Sequence, residues 1–199
     1  GMLVQALYNV VDRIFIGRAM GSVGIAGISV AFPMMIILMA FGMLVGLGAT
    51  SLISIRLGQQ KKEEAETVMG NALVLFIIMS AALTILGLAF TTPILLMFGA
   101  GADVLPYSRE YLRIILLGTI FQCVGFGMNN FIRGEGNPNK AMSTMLIGAF
   151  LNILLDPVFI FWLDMGIRGA AIATVISQAC SSALVLWYFL GGRGLLRIR

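Results

Sequence analysis

The sequence predicts an all-α polytopic membrane protein, built as a bundle of six transmembrane helices. Hydrophobic residues fill 59% of the 199 positions and charged residues only 11%, and the mean hydropathy is +1.00. An average soluble domain has about 25% charged residues. Long uncharged stretches separate the charges, and a spanning helix needs about 20 apolar residues. We therefore expect one membrane domain over residues 1–199.

The predicted spans follow the uncharged stretches in order. They cover residues 1–17, 29–57, 68–91, 110–132, 141–163 and 169–190. Pro33 fits the first turns of the second span, where its missing N–H costs nothing. Glycine, proline and charged residues predict turns between the spans. These connections are GSVGIAG (21–27), GQQKKEEAE (58–66), TPILLMFGAGADVLP (92–106), RGEGNPNK (133–140) and LDMGIRG (163–169).

The loops on the two sides carry unequal positive charge. The second loop, the fourth loop and the tail share one face, with Arg56, Lys61, Lys62, Arg133, Lys140, Arg193, Arg197 and Arg199. The opposite loops hold only Arg18, Arg109, Arg113 and Arg168. The positive-inside rule then predicts that the tail face is cytoplasmic. This bias also explains the net charge of +4 without a nucleic-acid partner.

The fifth span carries polar residues in a stretch that hydrocarbon should surround, LNILLDPVFIFWL (151–163). Asn152 and Asp156 are four residues apart and share a helix face. Pro157 cannot donate to the carbonyl of Ile153, which predicts a free backbone oxygen and a helix kink. A carboxylate near the bilayer centre costs about 2.5 to 3.5 kcal/mol on insertion scales, so a functional role is the default expectation.

The first span adds a second acid. Gln5, Tyr8 and Asp12 stand at positions i, i+3 and i+7 and form one polar face. Hard cations such as Na⁺ prefer oxygen ligands, and a proton needs only one carboxylate. Because the chain has no histidine, carboxylates would have to handle protons near neutral pH. Further polar residues lie on the fourth and sixth spans: Gln122, Asn129, Asn130, Thr174, Ser177, Gln178 and Ser181.

Two structural interpretations compete with function. Asp12 and Arg13 could form a buried ion pair, although adjacent helical residues do not face each other and Arg13 is expected to extend toward the outer surface. Small residues such as Gly42 and Gly46 at a spacing of four favour close helix packing. The same smooth face would also allow helices to slide.

Several motifs in order resemble the multidrug and toxic compound extrusion (MATE) family. They are YNVVDRIFIG, VAFPMM, SLISIRLGQQ, IRGEGNPNKAM, LNILLDPVFIF and MGIRGAAIATVISQ. The resemblance implies one lobe of a twelve-helix transporter, the amino-terminal lobe. The chain opens on apolar residues without an initiator methionine, so we expect a first helix cut short. The resemblance implies a carboxy-terminal lobe, absent from this sequence, as partner.

The resemblance also implies roles for individual residues. Asp12, Asn152, Asp156 and Thr174 would form the cation-coupling site, which is also the candidate Na⁺ (metal) site. Gln5, Tyr8, Asn129 and Gln178 would line the substrate cavity. No catalytic residue and no cofactor is implied beyond the coupling ion, Na⁺ or H⁺.

The sequence therefore predicts an antiporter in a bacterial inner membrane that exports amphipathic, often cationic compounds in exchange for Na⁺ or H⁺. A lipid-linked saccharide flippase of the same superfamily is the alternative, but it would favour a cationic cavity. An intramembrane aspartyl protease would carry GxGD, whereas Asp12 follows NVV and Asp156 follows ILL. We therefore do not expect an enzyme, and a structural scaffold would tolerate amides at both acids.

Overall fold

The chain is helical over nearly all of the part that the structure describes. This computed structural model gives the backbone of residues 2–192 and 194–197, and side chains from residue 10 onward in those ranges. The helices are α1 Met2–Gly58, α2 Lys62–Ala89, α3 Thr91–Met97, α4 Leu105–Leu117, α5 Thr119–Gly134, α6 Pro138–Pro157, a π-helix Val158–Trp162 and α7 Gly166–Leu190. The predicted all-α class is confirmed.

Helix α1 consists of two spans joined at Gly21. The 49 residues of Val10–Gly58 would be about 74 Å long as one straight helix, far more than the ~30 Å hydrocarbon layer. Gly21 has φ 66° and ψ −150°, a conformation that side chains with a Cβ rarely adopt. The chain folds back there, since a Cβ on Gly24 would lie 2.8 Å from Cγ2 of Ile16.

The predicted connection GSVGIAG is therefore wrong in extent. Only Gly21 leaves helical geometry, and the second arm of α1, residues 22–58, begins before the predicted start at residue 29. The bundle therefore contains the six predicted segments. They are the first arm of α1 (residues 2–20), its second arm, α2, the pair α4–α5, α6 with the π-helix, and α7.

The fourth span is broken, which the sequence analysis did not anticipate. Helices α4 and α5 meet at Gly118 with a bend of 54° and together form one candidate span. A Cβ on Gly118 would lie only 2.5 Å from Cγ2 of Val175 on α7. The bend thus occurs where the chain lies close against α7. The predicted third connection is also not an open turn, because α3 forms within it.

The fifth span changes helix type next to its proline. Helix α6 ends at Pro157, and the π-helix Val158–Trp162 continues the segment. A π-helical turn is wider than an α-helical one and often marks a functional position. Pro157 therefore stands where the backbone geometry changes, as expected of a residue without an N–H. The kink angle itself stays a prediction.

Glycines allow α1 and α5 to approach closely. A Cβ on Gly42 would lie 3.5 Å from Cα of Cys123, and one on Gly46 would lie 2.9 Å from Cα of Gly127. A Cβ on Gly127 would in turn overlap the ring of Phe76 on α2. The predicted packing interpretation of these glycines agrees with this geometry.

Two apolar cores lie toward opposite ends of the bundle. One contains Ile53, Met69, Phe76, Phe131 and Phe189 near the tail face. The other contains Ile16, Leu38, Leu95, Tyr111 and Ile167 near the opposite face. The central part of the helices lies between these two cores.

The segment after α7 folds back onto the tail face. Leu196 is fully buried in the first core. Glu135, just beyond α5, accepts hydrogen bonds from the backbone N–H groups of Leu195 at 3.3 Å and Leu196 at 2.9 Å, and from the Tyr188 hydroxyl at 3.2 Å. Arg197 N–H donates to Glu66 at 3.2 Å.

Candidate cation and substrate site

Three of the predicted coupling residues form one buried cluster. Asn152 is 2% exposed, Asp156 0% and Thr174 1%. The side-chain amide of Asn152 donates to Oδ1 of Asp156 at 3.3 Å and to Oγ1 of Thr174 at 3.4 Å. Both hydrogen bonds are long, because the optimal N–H···O distance is about 2.9 to 3.0 Å. The amide therefore links α6 to α7 without holding either partner tightly.

The fourth residue, Asp12, is buried on the first arm of α1. It is 3% exposed, and its carboxylate and that of Asp156 repel each other when both are charged. The first arm of α1 reaches this region because Phe15 packs edge-on against Phe161 of the π-helix, with ring centroids 6.2 Å apart. Hydrogen bonds thus link three of the four residues that the family resemblance implies for the coupling site, and the fourth is buried on the neighbouring arm of α1.

Arg13 does not pair with the neighbouring acid. Its guanidinium carbon lies 5.1 Å from the ring centroid of Phe32, a cation–π distance. Among the residues with described side chains, the salt bridges involve other pairs, such as Arg168 with Glu110 and Arg56 with Glu64. Asp12 and Arg13, whose side chains are both described, therefore do not form the buried ion pair that is the structural alternative to a functional site.

A cavity of about 280 Å³ opens beside the cluster. Its volume is just below the ~300 to 1,000 Å³ of drug-sized pockets. Rings and thioethers from the second arm of α1, from α5 and from α6 supply most of its apolar wall: Phe32, Met35, Met39, Phe121, Phe126 and Met145. Such polarizable side chains accept flat apolar molecules of varied shape.

Two residues belong to both the cluster and the cavity. Asn152 and Thr174 line the cavity wall, whereas the two acids are not among its lining residues. The carboxyl group of Asp156 therefore lies behind an amide and a hydroxyl. A ligand in the cavity can affect the acids by rearranging these two side chains.

The residues predicted to line the cavity differ in their placement and in their hydrogen bonds. Asn129 and Gln178 line the wall, but the amide nitrogen of Asn129 already donates to Ala141 O and to Thr144 Oγ1, both at 2.8 Å. The side chains of Gln5 and Tyr8 lie outside the described residues. Gln122, which was noted but not assigned a role, also lines the wall and is 5% exposed. Its separation of seven from Asn129, which puts both on one helix face, was the available signal.

Among the described side chains, the buried polar atoms without a partner are all oxygens. In the part of the chain with described side chains they are Oδ1 of Asp12, Oε1 of Gln122, Oδ1 of Asn152, Oδ2 of Asp156 and Oε1 of Gln178. Oxygens of this kind suit a hard cation or a proton. Within the same described part, His, Cys, Asp and Glu do not form a group of three that could hold a metal. A cation here would need Asn152 or Thr174 beside the two acids.

Known proteins match this chain over nearly its whole length. The profile of the MatE family matches residues 1–158. The multidrug export protein MepA of Staphylococcus haemolyticus is 33% identical over 189 residues, covering 95% of this chain and 42% of that protein. MepA of Staphylococcus aureus is 32% identical over 190 residues, with 96% and 42% covered. The chain thus spans less than half the length of these relatives.

Solved structures show the same relationship. The MATE multidrug transporter DinF-BH, solved as a complex, has a TM-score of 0.94 and 48% identity, over 100% of this chain and 45% of that one. A transporter of the MOP superfamily from Pyrococcus furiosus, described as having a reversed polarity of its binding pocket, has a TM-score of 0.92 and 34% identity, over 100% and 44%. The chain therefore belongs to the MatE family of multidrug transporters, not to a family of enzymes, and it corresponds to one lobe of a multi-pass bacterial membrane protein.

Proposed function

We propose that this chain is the amino-terminal lobe of an antiporter that exports amphipathic organic cations in exchange for Na⁺ or H⁺. The transporter would lie in the inner membrane with the tail face in the cytoplasm, and the carboxy-terminal lobe would complete it. The observation that carries the proposal is the cluster of buried acceptor oxygens next to an apolar cavity.

The coupling ion would bind between Asp12 and Asp156. Two carboxylates in a low-dielectric site repel each other, so the charged pair is stabilised by a Na⁺ between them or by a proton on one of them. For Na⁺, Oδ1 of Asn152 and Oγ1 of Thr174 offer further ligands. For H⁺, the protonated carboxyl would donate a hydrogen bond to its neighbour.

Exchange would follow from the position of Asn152 and Thr174. For Na⁺, the Asn152 amide would reorient so that its oxygen faces the cation, whereas its nitrogen now bridges Asp156 and Thr174. That change alters the cavity wall on which the organic cation rests. The ion also removes the negative charge that attracts the organic cation. Each ligand thus favours a different state, which is the requirement for a population shift.

The flippase alternative predicts a different cavity. A lipid-linked saccharide carries pyrophosphate, which needs N–H donors or cationic side chains. The unpartnered buried atoms of this lobe are acceptors only, over the side chains that are described. An anion would face those oxygens without compensation. The acceptor character therefore favours export of cations.

The test is replacement of Asp156 by asparagine in the full-length protein. Efflux of a fluorescent organic cation from proteoliposomes would be driven by a Na⁺ gradient, by a pH gradient, or by neither. We expect Asp156→Asn to abolish gradient-driven efflux of the cation. Asp103→Asn, which changes an exposed loop carboxylate, is the matched control and should retain it. Unchanged coupling in Asp156→Asn would refute the proposed site, and the gradient that drives the unmodified protein identifies the ion.

A further inference from the structure

Two of the unpartnered oxygens lie outside the coupling cluster. Oε1 of Gln122 and Oε1 of Gln178 are buried and accept no hydrogen bond from the described residues, yet both side chains line the cavity. The other three belong to Asp12, Asn152 and Asp156, where a coupling ion would satisfy them. In the proposed ion exchange, no ligand satisfies the two glutamine oxygens.

The two glutamines lie at the same depth in the cavity. Helices α5 and α7 run side by side in the same direction, as two contacts along them show. A Cβ on Gly118 would lie 2.5 Å from Cγ2 of Val175, and one on Gly125 would lie 3.3 Å from Cβ of Ser182. Both contacts have the same offset in residue number, which aligns Gln122 with a position next to Gln178.

This pair is separated from the coupling cluster by one helical turn. Gln178 follows Thr174 by four residues, so the two share a face of α7 and differ in depth by about 6 Å. A flat molecule in the cavity can therefore present a charged end toward the cluster and a polar substituent to the glutamines. The rings of Phe121 and Phe126 also line the cavity beside it.

A buried carbonyl oxygen without a partner is unfavourable, and away from the coupling ion it is satisfied by a hydrogen-bond donor on a ligand. A site built around such oxygens discriminates against ligands that lack the matching N–H. An amide suits this task better than a carboxylate here, because it accepts a hydrogen bond without adding a charge that would compete for the coupling ion.

We propose that Gln122 and Gln178 form an acceptor pair that recognises N–H groups on the exported cation. The cavity would then bind cations with primary or secondary amino groups more tightly than fully alkylated analogues of equal charge. The inference rests on the proposed function, since it assumes that organic cations enter this cavity.

The experiment compares two rhodamine ethyl esters with the same charge and ring system. One carries secondary N-ethylamino groups with one N–H each, and the other carries N,N-diethylamino groups without N–H. Binding to the purified full-length protein in nanodiscs is measured by fluorescence anisotropy, without any ion gradient. The variants are Gln122→Met and Gln178→Met, which keep side-chain length and remove the acceptor. Gln59→Met, at an exposed position on the tail face, is the control.

We expect each cavity variant to weaken binding of the N–H dye by about fivefold, in line with the loss of one hydrogen bond. The diethyl dye should change by less than about twofold, and Gln59→Met should change neither. Equal losses for both dyes, or no loss for either, would overturn the proposal. If a variant does not fold, the unmodified protein still tests the proposal, because equal Kd values for the two dyes would also overturn the proposal. The proposed antiport is tested by a different result: it is refuted if a dye that binds is not exported under either a Na⁺ gradient or a pH gradient.

Discussion

The backbone N–H of Leu196 donates to Oε1 of Glu135 at 2.9 Å, which ties the segment after α7 to the end of α5. Glu135 is 9% exposed, and its carboxyl also accepts hydrogen bonds from Leu195 and Tyr188. A single side chain thus fixes the direction in which the chain leaves the bundle.

The burial of Glu135 makes the stability of the fold depend on pH. Burial raises the pKa of Glu135 above its ordinary value of 4.5, despite the opposing hydrogen bonds from Leu196, Tyr188 and Leu195. A carboxyl with a raised pKa in the folded state holds its proton more tightly there than in the unfolded chain. Its contribution to stability is complete below pH 4.5 and is lost as pH rises through the raised value.

We therefore expect Glu135→Gln to flatten this part of the profile of melting temperature against pH. Glutamine cannot ionise, so the fall in stability above the ordinary carboxyl pKa should disappear. Asp103→Asn removes an exposed carboxyl instead and should leave the profile unchanged. A profile for Glu135→Gln that parallels that of the unmodified protein would contradict the assignment.

The close approach of α1 and α5 predicts a strong effect of one methyl group. In Gly46→Ala the new Cβ would lie 2.9 Å from Cα of Gly127, a backbone atom that cannot rotate away. Overpacking of this kind costs about 1 to 3 kcal/mol. Gly48→Ala is the matched control on the same helix, since its Cβ would meet nothing within 4 Å. Melting temperature in detergent should fall for Gly46→Ala only. Equal temperatures for the two variants would show that the helices separate freely.

The close contact at the Gly118 bend predicts that a second substitution can restore the stability lost by a first one. In Gly118→Ala the Cβ would lie 2.5 and 3.0 Å from the two methyl carbons of Val175, so we expect a loss of about 1 to 3 kcal/mol in stability. Val175→Ala removes both methyl groups, and the double variant should recover much of the loss. A double-mutant cycle in thermal unfolding measures this coupling. Strictly additive effects would mean that the two helices do not meet there.

The hydroxyl of Thr174 predicts a change in ion affinity. Thr174→Val keeps the shape but removes Oγ1, the acceptor of the Asn152 amide and a candidate ion ligand. We expect the ion concentration for half-maximal efflux to rise by about tenfold, as for loss of one hydrogen bond to a charged group, and Thr174→Ser to restore it. Thr67→Val, whose hydroxyl donates to Glu63 O on the exposed start of α2, serves as control. An unchanged half-maximal concentration in Thr174→Val would remove this residue from the site.

Composition and spacing were enough to predict the membrane class and the pairing of Asn152 with Asp156. These two residues are one helical turn apart, so they lie on the same helix face whatever the tilt of the helix. Their burial follows from the cost of exposing an acid to lipid. The meeting with Asp12 depends on how distant helices pack, and here the family resemblance supplied what spacing could not.

Features that depend on a single torsion or contact could not be predicted from the sequence. GSVGIAG has the composition of a turn, yet only Gly21 leaves the helix. The 54° bend at Gly118 lies in an uninterrupted apolar stretch, so no charge or proline marks it. Gln122 was visible as a polar residue, but its unpartnered oxygen depends on the packing of α5 against α7.

Gly21 joins the first arm of α1, which carries Asp12, to the second arm, which carries Phe32 and Met35. Because peptide planes are rigid, the two arms can pivot about each other there mainly through φ and ψ of this one residue. The carboxylate of Asp12 and the aromatic wall of the cavity are therefore linked by a hinge of two degrees of freedom. Any movement of one arm relative to the other in the proposed antiport would therefore be limited to the directions that these two torsions allow.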